Sequence, residues 1–177
     1  MDEVLRFWFR EIPPARWWAK DPDFDAHIAE RFAALHAQAA RVELWAWRRS
    51  PRGRLAEILV LDQFSRNIYR DRPEAFAQDA LALALAQEAV AQGALAELNS
   101  TEQAFVLMPY MHSESAPIHA EAVRLFAAPG LEGNLDFERQ HKAIIDRFGR
   151  YPHRNAILGR ASTAEEEAFL QQPGSSF

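Results

Sequence analysis

The chain has no cysteine. That excludes disulfides, thiolate-ligated metals, iron–sulfur clusters and thiol nucleophiles. Lysine is nearly missing as well: Lys20 and Lys142 stand alone, so 18 of the 20 basic residues are arginine. No alternating strand pattern and no parallel-sheet unit can be read, which argues against a β or α/β fold. No apolar run approaches the roughly 20 residues needed to cross a bilayer, so no membrane partner is expected. Met1-Asp2-Glu3 lacks the basic start and apolar run of a secretory signal, and a cytoplasmic location is the expectation. The net charge of −5 at pH 7 argues against a surface built for nucleic acid.

What remains is helical text. Val4, Leu5, Trp8 and Phe9 form a short apolar face before Pro13-Pro14. Asp21-Pro22 and Ser50-Pro51 are start signals, a capping side chain followed by a proline in the first turn. Pro73-Glu74 and Pro117 each predict another helix start, and Asn134 a further cap. Ser100 with Gln103, and Ser162 with Glu165, have capping-box spacing. Gly93 and Gly149 mark helix ends. With 49% hydrophobic and 25% charged residues, one core is affordable. The expectation is one all-α domain over 1–177, of about seven to nine helices arranged as antiparallel hairpins. The five tryptophans, Trp8, Trp17, Trp18, Trp45 and Trp47, read as core and groove walls.

Two segments carry an Arg-Asn pair after an apolar helix: Asp62-Gln63-Phe64-Ser65-Arg66-Asn67-Ile68-Tyr69-Arg70 and Phe148-Gly149-Arg150-Tyr151-Pro152-His153-Arg154-Asn155. Asn tolerates left-handed backbone, and Arg complements a helix C-terminus, so both pairs could simply end helices. Arginine density points further. Arg147, Arg150, Arg154 and Arg160, with His153, lie in a stretch free of Asp and Glu, and Arg66, Arg70 and Arg72 face only Asp71 nearby. The guanidinium fork suits carboxylate or phosphate. Two occupants stay open: internal carboxylates, with Asp62 one turn from Arg66, or a bound anion. Asp62, Gln63, Arg66, Asn67, Arg70, Arg150, His153, Arg154 and Asn155 are the candidate ligand-binding residues. The helix from Ser100 is expected to break at Pro109, with His112 and Glu114 following that break, and His141 lies on a later helix; these three are the candidate acid–base residues. Ser113 and Ser115 read better as caps than as nucleophiles. No histidine pair has the H-E-x-x-H spacing, so no metal or cofactor is expected.

The blocks LDQFSRNIYR (61–70), MPYMHSES (108–115) and RFGRYPHRNAILGR (147–160), in this order, resemble the signature of the bacterial domain-of-unknown-function 924 family. The resemblance spans essentially the whole chain. It implies an all-helical, tetratricopeptide-like fold and no particular activity. Ser65 stands where the family usually has proline, a glutamine is typical near His119, and Tyr69 and Tyr151 stand where phenylalanine is commoner. The partner expected from the residues is a small anionic molecule or a peptide carboxylate. A hydrolase or lyase using His112, Glu114 or His141, and a structural module without ligand, are the alternatives. Oligomeric state is not legible.

Overall fold

Capping side chains set where the helices begin. The structure, a computed structural model, describes residues 1–176. Helix α1 (Asp2–Arg6) widens into a π-helical turn, Phe7–Glu11, and the backbone N–H of Ile12 bonds back to the Phe7 carbonyl at 3.1 Å. Helix α2 (Pro22–Ala40) starts at Asp21, whose carboxylate accepts the N–H groups of Asp23 and Phe24, each at 3.1 Å. Helix α3 (Pro51–Leu59) starts at Ser50 in the same way, accepting from Gly53 N–H. It runs on through a second π-helical turn, Val60–Phe64, into α4 (Ser65–Ile68), so 51–68 is one continuous rod. Then follow α5 (Asp79–Ala91), α6 (Ser100–Met111), α7 (Ala116–Phe126), α8 (Glu132–Phe148) and α9 (Ala164–Leu170). Among the described residues there are nine α-helical segments in eight rods and no strand, in agreement with the all-α class and helix number read from the sequence. No helix of the described residues is long and apolar enough to cross a membrane.

Several boundaries differ from the sequence reading. Pro73 opens only a 3₁₀ turn, Pro73–Phe76, and α5 begins at Asp79. Pro109 sits inside α6, which continues to Met111. Asn134 lies within α8, not at its start. Both capping boxes are displaced by one residue: Asn99 with Glu102, and Thr163 with Glu166. Each chosen glutamate is buried and also takes an arginine, Arg52 for Glu102 and Arg150 for Glu166. In both cases the frame whose glutamate is buried wins over its neighbour, since Gln103 is only half-buried and Glu165, though paired with Arg147, is exposed.

Helices adjacent in sequence pack on each other from α5 to α8, while α2 packs on the second π turn and α4. The main core centres on rings. Phe64 is fully buried, 4.8 Å from Phe32, 5.6 Å from Trp8 and 6.1 Å from Phe7, centroid to centroid. The tryptophans divide: Trp8 is enclosed, but Trp18 and Trp45 are about 60% exposed (60% and 59%). A smaller cluster of Ile144, Ile145 and Tyr151, with Phe148 and Phe169, sits at the C-terminal side. Tyr151 joins it to the main core by donating its hydroxyl to the Met111 carbonyl at 2.5 Å. The candidate site lies around that junction.

Replacing Phe64 with alanine removes a buried ring and leaves a cavity, a loss of about 3–5 kcal/mol. Phe137→Ala, at a 60% exposed ring, should change stability by less than about 0.5 kcal/mol. Urea titrations of both variants measure the contrast, and equal effects would contradict this core.

Candidate functional site

Asp62 falls in the second π-helical turn, a wider turn that often marks functional positions in helices. Its carboxylate is fully buried. Oδ2 accepts from the Gln63 side-chain amide at 2.7 Å, and Oδ1 meets His112 Nδ1 at 2.7 Å. His112 is the C-cap residue of α6. One turn beyond Asp62, Arg66 donates to the Asp62 carbonyl at 2.9 Å and lies 3.4 Å from Oδ1. Burial alone would raise the Asp62 carboxyl, but His112 and Arg66 overcome it and hold the group well below the usual carboxylate range. Burial first, then Arg66, keeps His112 below its ordinary value against the pull of Asp62. At neutral pH the pair is a carboxylate and a neutral imidazole. Nδ1–H is donated to Asp62, so Nε2 carries the lone pair. The His112 side chain is 13% exposed, against 1% for Asp62.

The two Arg-Asn segments meet here through their arginines. Arg66 makes a two-pronged pair with Asp79, at 3.0 and 3.1 Å. Arg154 reaches the same carboxylate at 3.2 Å and donates to the His112 carbonyl at 3.1 Å. The Arg154 guanidinium lies between the Phe76 and Tyr151 rings, 4.6 and 4.7 Å from their centroids. It is 5% exposed, and its buried Nε has no hydrogen-bond partner among the described residues. Burial lowers the Arg154 pKa, with Arg66 adding to that effect.

The other candidates have their own partners. Asn67 donates to Asp25 at 2.8 Å, and Arg70 grips the same carboxylate with both prongs. Arg150 pairs with Glu166 at 2.6 and 2.8 Å. Asn155 is fully buried, donating to Ser162 Oγ and accepting from Arg160. Glu114 accepts from Arg160 twice and from the Tyr151 backbone N–H. His141 donates Nδ1–H to the Phe137 carbonyl at 2.8 Å, and its ring stands edge-on to Tyr151 at 5.9 Å. His153 is tilted against Tyr151 at 5.6 Å. Thus Asp62, Gln63, Arg66, Arg154 and His112 share one network, while Asn67, Arg70, Arg150, Asn155 and Glu114 make their contacts elsewhere. Asp79 and Phe76, central here, carry no sequence signal: they stand beside a run of alanine and leucine that reads as plain helix. Two clefts, of about 610 and 180 Å³, open near Trp17 and the start of α6, and none of the network residues lines them. Among the described residues no three His, Asp or Glu side chains are grouped to hold a metal.

A family model described as a bacterial protein of unknown function, DUF924, matches residues 4–174. The chain belongs to this family. A solved structure, that of the protein of unknown function ATU0120 from Agrobacterium tumefaciens, is similar to it. The two share 36% identity over 96% of either chain, with a TM-score of 0.91. No curated protein matches.

The histidines of this DUF924 protein generate a pH prediction. Burial lowers His141 to about 4 and His153 to about 3, and lowers His36 and His112 as well. Unfolded histidines titrate near about 6.5. Between that value and the folded ones, the unfolded chain binds more protons, so stability rises with pH. Each such histidine contributes on the order of 1.4 kcal/mol per pH unit inside its window. Glu138, raised by burial, acts in the opposite sense, its contribution fading as pH climbs through its raised value. The melting temperature should therefore fall steadily from pH 7 to pH 4, as circular dichroism would record. A flat profile would mean these histidines are not held neutral.

Proposed function

We propose that this protein binds a small anionic molecule beside Arg66 and Arg154, and that the Asp62–His112 pair performs acid–base chemistry on it. The carrying observation is the fully buried Asp62 carboxylate, 2.7 Å from His112 Nδ1. A buried carboxylate in this position fixes the imidazole tautomer and orientation, leaving Nε2 unprotonated at neutral pH and free to accept a proton. Gln63 holds the second carboxylate oxygen, so the orienting group is itself oriented. Positive charge from Arg66 and Arg154 lies within the same network and favours an anion over a neutral molecule. The reaction class consistent with these groups is proton abstraction, or water activation, next to a negatively charged substituent.

A thermal-shift panel of small carboxylates and phosphates tests the binding half. A ligand at ten times its dissociation constant adds about 1.4 kcal/mol, or roughly 3–6 °C for a chain of this size. Arg154→Ala should abolish that shift. His112→Ala should keep binding but lose turnover of any substrate the panel identifies, because it removes the base and not the charge. If no anion moves the melting temperature of the unaltered protein, the proposal fails.

A further inference from the structure

Resting on that proposal, the network also tells which anion is wanted. Arg66 and Arg154 are contributed by segments 88 residues apart in sequence, from 66 to 154, and both end on one carboxylate, Asp79. That carboxylate is planar and meets Arg66 side-on, the fork-to-fork geometry guanidinium prefers for carboxylates. Arg154 is less well served. It has one end-on contact to Asp79, one carbonyl, and a buried Nε with no acceptor. Arg70, Arg150 and Arg160 differ, since each holds by both prongs a carboxylate that no other arginine touches. Asp79 also keeps a path to solvent, its side chain 19% exposed, whereas Asp62 is sealed at 1%. The chain reaches Asp79 from a mostly exposed stretch, 71–78, entered through Asp71 in left-handed backbone at φ 60. That stretch also carries Phe76, whose ring covers both guanidinium groups at 5.8 and 4.6 Å.

We infer that Asp79 occupies the seat of a ligand carboxylate, and that a carboxylate-bearing small molecule displaces it from Arg66 and Arg154. The ligand's carboxylate then pairs with both arginines, including the Arg154 nitrogen that Asp79 leaves unserved. His112, whose carbonyl Arg154 also holds, stands at the edge of that seat. Asp79 is a competitor built into the fold: with the seat empty it adds to Asp62 the second carboxylate that balances the two cations.

Malonate is the probe, and binding is followed by calorimetry. Asp79→Asn keeps the shape and removes the competing charge, so malonate should bind at least tenfold tighter than to the unaltered protein. Arg154→Lys should weaken it at least tenfold, since an ammonium cannot replace the planar fork. Asp25→Asn frees Arg70 in the same chemical sense and is the control: it should leave malonate affinity unchanged. Equal affinity in the Asp79→Asn variant, or equal tightening by Asp25→Asn, would overturn the inference. Should Asp79→Asn not fold, arginine side-chain ¹⁵N NMR of the unaltered protein decides. Malonate must then shift the Arg66 and Arg154 Nε signals and spare Arg70; unmoved Arg66 and Arg154 signals would overturn the inference. Malonate binding with no Asp79 effect defeats this inference alone, whereas failure of every small anion to bind defeats the proposed function as well.

Discussion

A single buried carboxylate, Asp62, constrains everything near the site. Taking an isolated ion from water costs several kcal/mol even after relaxation, so Asp62 can be buried only if its oxygens are fully served. The π-helical turn does this by presenting Asp62 and Gln63 inward together, and by bringing Arg66 back one turn later. His112 must then come from α6 to complete the shell. Once Arg66 is held, Asp79 is drawn to it, and Arg154 to Asp79. One desolvated charge thus ties the rod 51–68 to the start of α5, the end of α6 and the turn at 152–154. Removing any member leaves another charge buried without its partner, which is far costlier than losing a surface pair.

The preference for arginine over lysine has a structural consequence here, whatever its origin. Asp25, Glu57, Glu114 and Glu166 are each gripped by two guanidinium nitrogens. A lysine offers one point charge and could not reproduce that geometry. Some of these clamps fasten elements distant in sequence, as when Arg70 reaches Asp25 and Arg160 reaches Glu114. They also sort the arginines: Arg70, Arg48, Arg160 and Arg150 each hold a carboxylate by both prongs, whereas Arg154 shares Asp79 with Arg66 and is left with an unserved Nε.

Much of the fold was legible because helix starts depend on local chemistry. Asp21-Pro22 and Ser50-Pro51 act as caps as their residue types require. What failed was local ambiguity resolved by distant partners. Ser100 and Asn99 are both able to cap α6, and the choice fell to Asn99 because Glu102, not Gln103, faces Arg52. Gln103 instead donates to the Leu95 and Leu98 carbonyls. At α9 both glutamates meet an arginine, but Glu166 is buried with Arg150 while Glu165 is exposed, so Thr163 is the cap and Ser162 is left to hold Asn155. In the site, Arg66, Arg154 and His112 were legible from charge density and a proline-adjacent motif. The sequence left both internal and external partners for the arginines open, because charge pattern reveals the cation and not what sits across from it. Asp79 was invisible for that reason.

Three histidines in this fold sit beside an oxygen partner at 2.7 Å, and comparing them explains why His112 is the chemical candidate. His36 meets Ser65 Oγ, but the serine donates its own proton to the Leu61 carbonyl at 2.5 Å, so His36 must be the donor and cannot activate that hydroxyl. His119 meets Glu138 at Nδ1 and the Ser113 carbonyl at Nε2, with both side chains fully enclosed. Two oxygens on its two nitrogens make it a strut between α7 and α8, with no ring edge for a ligand. His112 alone combines an ionised, sealed partner with a ring that reaches solvent and cations close by. An imidazole needs a fixed tautomer, an accessible nitrogen and a neutral resting state to move protons at neutral pH. The first two histidines each lack one of these requirements for reasons of hydrogen-bond direction and burial. His112 meets all three because the π-helical turn buries Asp62 with Oδ1 against Nδ1 at the end of α6.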